Sequence, residues 1–548
     1  MNQNKYRWAR AGDVNAFFGL MLDNIAGLVL MVSMLHGIFG FPVEFALAYM
    51  VPGTAIGVLV GDLLFFGLAF VYARRTGLTN VTAMPLGLDT PSTIGMVLLV
   101  LGPAYKAALG EGLDPHAAAM QTWHIGMCAI LITGIVKGVL ALCSNWIHRV
   151  FPRAGLLGSL AAIALVLIAF TQMTELAANP LVGFGSLIII LATLIARQGL
   201  PFKIPGALGA VLVGCAIWYL LLGVQMGTGY ELVEKTESLN PVWFPKEWLS
   251  ALSFQWLESF DKTLPFLGYI IPFAIGTVIG GIDCAESAAS VGDDFKTSRV
   301  IGIESLATVV AACCGGVVQT TPYIGHPAYK AMGGRAAYTL ATALFIGGAG
   351  VIGYFSLIFM LIPKAAVLPI LVFIGVEITA QSFHATPRRH YAALAVACLP
   401  AIAKLVMIYL GQFGDVIDYE RVPPPVANNL QSLWLHLSVL AGGFVLTSLI
   451  WASTTASIID RRFSTAAVYL AVGGVFTLVG LMHSPFFGDK MFWPWQLFDS
   501  SVTLDQRTIV LEFVGAYVVM ALLIYGLGIA MKRTSKIITT DEEYEQLI

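Results

Sequence analysis

The sequence predicts an all-α polytopic membrane protein built as two inverted repeats of seven spans, followed by two additional spans. Three observations predict it. Of 548 residues, 57% are hydrophobic and 11% charged, at a mean hydropathy of +0.81, whereas an ordinary soluble domain is about a quarter charged. Apolar runs long enough to cross a hydrocarbon core of about 30 Å recur along nearly the whole chain. Two of these runs, far apart in sequence, are interrupted by proline and glycine in the same way.

The runs fall near 16–36, 45–73, 79–105, 119–142, 155–175, 180–197, 205–225, 265–291, 299–319, 320–333, 337–361, 366–383, 390–411, 430–452, 464–482 and 508–531, sixteen in all. Their length argues for helices, since a barrel would need short alternating strands. The first follows a basic leader, lacks a small-residue cleavage site and is followed by further spans, so it reads as a span and not as a removable signal. With the N-terminus inside, 19 Lys and Arg fall in inner loops and 8 in outer loops, while Lys137, Lys330 and Lys404 fall within spans. That bias predicts a multi-pass plasma membrane protein of the bacterial inner-membrane type, with both termini cytoplasmic. The seven cysteines lie in or beside apolar runs without the spacing of a metal site, so no metal or other cofactor is expected.

Outer loops at about 226–264, 412–429 and 483–507 are long and polar or aromatic. The first separates residues 1–225, with seven spans, from residues 265–455, with seven more; residues 456–548 hold the two extra spans and a short acidic tail. An odd number of spans before the loop starts the second unit from the opposite side of the membrane, as an inverted repeat requires. The third span, NVTAMPLGLDTPSTIGM, and the tenth, VVQTTPYIGHPAYKAMGG, then correspond. Pro85 is followed four residues later by Asp89 and then by Pro91; Pro322 is followed four residues later by His326 and then by Pro327. Proline suits the first turn of a helix, so each break is expected to open a half-helix, with Asp89 or Thr90 and His326 at or beside the caps. Non-helical backbone at membrane depth must be buried in protein or line a wet cavity. Paired breaks therefore mark a binding site.

Intramembrane ionisable groups extend the candidate site. The eighth span places Asp283 and Glu286 three apart on one helical face. Glu304 follows in the ninth span. His326 can donate, accept or titrate near neutral pH, or simply cap its helix; Lys330, one turn on, can reach the same region or snorkel to the interface. Asp23 and Asn24 in the first span and Asp62 in the second are either site groups or polar ties between spans. Lys137, Lys404, Glu377 and Glu512 cannot be assigned to a helical face from pattern alone.

TTPYIGHPAYKAMGGRAAYT resembles the tenth-span signature of the nucleobase/cation symporters, the xanthine/uracil permease-like family, with a Thr-Thr-x-Tyr lead and a Gly-Gly-Arg close. AMPLGLDT resembles the third-span motif of the adenine, guanine and hypoxanthine branch, with Asp89 where an asparagine is usual. The resemblance covers about residues 15–450. It implies fourteen spans in a core and a gate, proton-driven import of a nucleobase by alternating access, and a site between the broken third and tenth spans. It also implies a bilayer setting, a small-molecule substrate, no nucleic-acid partner, and a homodimer as the assembly related folds adopt. Glu286, or Asp283 if the register slips, would hydrogen-bond the base. Together with the breaks and the intramembrane polar groups, this gives as substrate-binding candidates Glu286, His326, Asp89, Asp283, Gly325, Thr90, Asn24 and Tyr323, with Glu286, His326, Glu304 and Asp89 as proton-coupling candidates. Where relatives carry an acid or amide after Tyr323, this chain has Ile324, Gly325 and His326. An anion carrier of the same architecture is the alternative. No nucleophile–base constellation points to an enzyme.

Overall fold

A computed structural model describes residues 6–150, 152–201, 204–229, 231, 240–323, 325–414, 424–486, 491–500, 502–531 and 537–546. Lys5, Lys203, Lys235, Ile324, Arg421, Lys490, Lys532, Arg533 and Lys536, the side chains of Cys143 and Arg149, and parts of the three long loops lie outside the described residues. Most of the predicted runs fall on helices, but 320–333 holds a strand, Thr320–Pro322, and a six-residue helix, His326–Ala331. Nine helices among the described residues are long and apolar enough to cross a membrane, or up to twelve if each bent pair counts as one span, with Pro180–Ile195 and Phe463–Leu478 shorter. The chain is thus a polytopic helical membrane protein. Two windows straddle a bend: 337–361 covers Ala337–Val351 and Phe355–Leu361, where Gly353 adopts a φ of 92°, and 430–452 covers Pro424–Ala441 and Phe444–Ile459, where Gly443 adopts a φ of 65°.

The elements used below are α1 (Gly12–Phe39), α2 (Val51–Thr76), β1 (Leu86–Leu88), α3 (Thr90–Gly95), α4 (Pro115–Val150), α5 (Leu267–Ser290), α6 (Thr297–Cys313), β2 (Thr320–Pro322), α7 (His326–Ala331) and α8 (Ala337–Val351). The chain forms two compact units, each drawing on both halves of the sequence: residues 1–144, 168–264 and 277–374 in one, residues 145–167, 265–276 and 375–548 in the other.

In the first unit, α2 is packed through glycines four residues apart, a spacing that lets helix backbones approach closely when apolar burial cannot drive association in lipid. A Cβ at Gly53 would lie 2.2 Å from the Cys314 carbonyl oxygen and 2.3 Å from the Gly316 nitrogen; one at Gly57 would lie 2.7 Å from the Ala311 Cβ; one at Gly61 would meet Leu86 and Ala307. On another side α8 packs on α2, with Gly350 against Ala55 and Gly347 against Leu59. The long 226–264 loop folds onto the same unit in its described part, where Trp256 is buried and the Phe244 amide donates to the Ile352 carbonyl at 2.8 Å.

In the second unit, helices Arg153–Ala162, Tyr391–Gly414 and Phe444–Ile459 meet through Gly155, Gly158, Ala397 and Ser453, and the Ser448 hydroxyl donates to the Ala397 carbonyl at 2.6 Å. The extra helix Leu504–Met531 is tied in by Tyr517, whose hydroxyl receives the Trp451 indole N–H at 2.8 Å and lies 2.9 Å from His483 Nε2. The tail returns to this unit. Arg389 bridges Asp460 (2.9 Å) and Asp541 (2.7 Å), His390 Nε2 lies 2.8 Å from Asp460, and the Ile538 amide donates to the Asp460 carbonyl.

Burial alone would raise the Asp460 carboxyl, but its hydrogen bonds and charge contacts with His390 and Arg389 outweigh burial and hold it below the usual carboxylate range. A depressed folded value means stability that is present above the unfolded value of about 4 and is lost as pH falls through the folded one. Thermal unfolding of wild type and Asp460→Asn should therefore diverge at neutral pH, with wild type higher, and converge as the buffer is taken below that range.

Candidate solute site at the strand crossing

The two broken spans meet as an antiparallel ribbon. Its register pairs Leu86 with Pro322, Gly87 with Thr321 and Leu88 with Thr320. The Tyr323 amide extends the ladder to the Pro85 carbonyl at 2.9 Å, and the Asp89 amide extends it to the Gln319 carbonyl at 3.1 Å. Gly87 is required here, since a Cβ would lie 2.2 Å from the Tyr323 hydroxyl oxygen.

A two-stranded ribbon leaves both outer edges unpaired, a cost of several kcal/mol per group in a bilayer. Side chains from the surrounding helices supply the missing partners. On the β1 edge, the Leu86 amide donates to Asp62 Oδ1 at 3.2 Å and the Leu88 amide to Asn24 Oδ1 at 3.1 Å. At the β2 edge, Lys137 Nζ donates to the Thr320 carbonyl at 3.0 Å and Thr308 Oγ1 accepts from the Thr320 amide at 3.4 Å. Just before β1, the Tyr338 hydroxyl donates to the Ala83 carbonyl at 2.6 Å. Asn24 and Asp62, which the sequence leaves open between site group and tie, hold β1 in place.

Each strand opens a half-helix with proline in its first turn. Asp89 caps α3, its Oδ2 accepting from the Ser92 amide at 3.1 Å and from Gln319 Nε2 at 3.1 Å, while the Gln319 amide oxygen receives the Thr277 hydroxyl at 3.3 Å. Thr90 is buried beside it. Tyr323, half-buried, donates its hydroxyl to the Leu88 carbonyl at 3.3 Å and lies beside Asp23. The α7 cap differs from its counterpart. Gly325 occupies the cap position without a side-chain bond, and His326 is the first helical residue.

His326 is fully buried in a separate cluster: its Nε2 lies 2.9 Å from Asp293 Oδ2, which also receives Lys330 Nζ at 2.8 Å and the Thr82 amide at 3.2 Å. The sequence proximity of His326 to the break does not carry its ring to Asp89, because the ring leaves α7 toward the end of α5, where Asp293 follows. Lys330 completes this cluster. On α5, Glu286 is exposed and Asp283 is partly buried one turn earlier. Glu304 is fully buried and pairs with Lys137, Nζ to Oε1 at 2.7 Å.

The structure thus brings together Asp23, Asn24, Asp89, Thr90, Tyr323 and Gln319 around the ribbon, and sets His326 in the Asp293 cluster. Sequence reasoning did not assign Lys137, Gln319, Thr308, Tyr338 or Asp293. The signal for Gln319 and Thr308 was available: both are polar groups in runs otherwise apolar or small, next to or one span away from the break. Among the described residues no group of three His, Cys, Asp or Glu is placed to hold a metal ion.

No family model and no curated protein matches the chain. Solved structures similar to it include the transmembrane domain of BicA, a cyanobacterial bicarbonate transporter, at a TM-score of 0.43 and 14% identity over 73% of this chain and 96% of that one. SLC26A9 gives 0.40 and 14% over 70% and 62%, and the murine anion transporter Slc26a9 in its inward-facing state gives 0.39 and 13% over 87% and 70%. At these values the likeness says nothing about cargo.

Proposed function

We propose that the chain is a secondary transporter that carries a small polar heterocycle of the nucleobase type, coupled to protons, by alternating access. The observation that carries the reading is the ribbon itself: irregular backbone at membrane depth, clamped on both edges, with Asp89, Asp23 and Tyr323 arranged around it. A carboxylate-rich crossing suits a solute with N–H donors. The cation bonded to the ribbon, Lys137, is already engaged by Glu304, so an incoming anion would face the carboxyl groups of Asp89 and Asp23. Glu286, exposed on α5, is the further acceptor we assign to the base, with Asp89 as the group at the half-helix N-terminus.

Anion carriage is the second reading. It is favoured by the opening turn of α7, which has no side-chain cap, with the Lys330 ammonium one turn on. A thermal-shift screen of purified protein against hypoxanthine, adenine, uracil, sulfate and bicarbonate separates the two. Stabilisation by a nucleobase alone supports the first reading, and stabilisation by an oxyanion alone replaces it with the second.

A further inference from the structure

Glu304 and Lys137 form an ion pair without solvent exposure on either side chain, and clamping β2 uses only the lysine. A buried ion pair contributes little stability by itself compared with apolar residues of similar volume, so its presence asks for another role. Among the described residues, the groups that face Glu304 are Lys137 from α4, Thr321 from β2, Asp89 from the crossing and Cys284 on α5, with Gly281 so close that a Cβ there would lie 2.7 Å from Glu304 Oε2. On α6 itself the neighbours are the uncharged Ser305 and Thr308. Successive residues of one segment link this pair to the solute groups: Gln319 bonds Asp89, the Thr320 carbonyl receives Lys137, and Thr321 contacts Glu304.

We propose that Glu304 takes up and releases the coupled proton, and that Lys137 reports its state to the solute site through β2. The proposal rests on the proton-coupled reading above. With Glu304 ionised, Lys137 holds both the carboxylate and the Thr320 carbonyl. A proton entering from water forms the Glu304 O–H and cancels its charge, which leaves Lys137 a buried cation without a counter-charge, a strongly unfavourable arrangement. The ammonium then shifts to the other carboxylate whose charge it feels, Asp89, and frees the Thr320 carbonyl. Return of the proton to water on the other side reverses both movements. The solute groups thereby see the proton without touching it.

Two readouts test this. Acid-minus-neutral infrared difference spectra of the purified protein need no cargo: wild type should show a protonated-carboxyl band that is missing in Glu304→Gln and whose midpoint moves to higher pH in Lys137→Met, because the cation no longer favours the carboxylate. An unchanged band in Glu304→Gln overturns the assignment. In proteoliposomes with labelled hypoxanthine, Glu304→Gln should keep counterflow and lose accumulation driven by a pH gradient. Because either single variant strands a buried charge or dipole, Lys137→Met with Glu304→Leu is the companion. Accumulation of hypoxanthine like wild type in this double variant, which has neither the carboxyl nor the ammonium, overturns the proposal; coupling predicts that it accumulates none. If wild type exchanges no hypoxanthine, the cargo reading fails while the infrared result still decides the proton site.

Discussion

Valine at position 53 is expected to leave almost no folded protein. The Gly53 position faces backbone, not side chains that can swing aside: the Cys314 carbonyl oxygen and the Gly316 nitrogen lie within 2.3 Å of where a Cβ would sit. Gly316 is itself locked, its amide donating to the Ala311 carbonyl at 2.7 Å and its neighbour Val317 donating to the Thr54 hydroxyl at 3.2 Å. Trp123 adds an indole N–H to the Gly315 carbonyl at 2.7 Å. Accommodating three extra carbons would push α2 off the turn that delivers β2. Overpacking of a well-packed site typically costs about 1–3 kcal/mol, and more where backbone must move. Detergent-solubilised Gly53→Val should run as aggregate in size-exclusion chromatography, whereas Gly67→Val, on the same helix with open space around its Cβ position, should elute as wild type does.

Leucine in place of Asp62 is the second large effect. It removes the acceptor for the Leu86 amide and leaves a buried donor unpaired at membrane depth, a loss of about 1–3 kcal/mol by the usual cost of an unsatisfied group. Asparagine keeps an acceptor of the same shape, so Asp62→Asn should retain most of the thermal stability that Asp62→Leu loses. Equal losses in both would mean that the charge, and not the bond to β1, is what the position supplies. Asn24 offers the same comparison at the Leu88 amide.

Much of this architecture is legible in the sequence because the bilayer imposes length and polarity on every span. The breaks at Pro85–Pro91 and Pro322–Pro327 are legible for a related reason: proline and glycine are expensive inside a helix unless the chain needs them there. What pattern does not supply is the direction of a side chain beyond its own helix. His326 and Asp89 share an offset, yet one ring leaves α7 for Asp293 while the other carboxylate turns back on its own half-helix. Lys137 could not be placed because nothing local says which of its helix faces meets the ninth span. Its partner Glu304 lies 167 positions away and is found only once the helices are packed. The four-residue glycine spacing of α2 was open to reading, and its meaning is the close approach to α6.

The claim on which the account depends is that a nucleobase-like solute is handled at the ribbon, with Asp89 among its contacts. Counterflow of labelled hypoxanthine in proteoliposomes tests it most directly, comparing wild type with Asp89→Ala at equal reconstituted protein and confirmed fold. Saturable exchange in wild type, unaffected by excess sulfate or bicarbonate and reduced at least about tenfold in Asp89→Ala, a transition-state loss of about 1.4 kcal/mol, is the predicted result. Exchange that survives the substitution intact, or that appears only with the oxyanions, would contradict it.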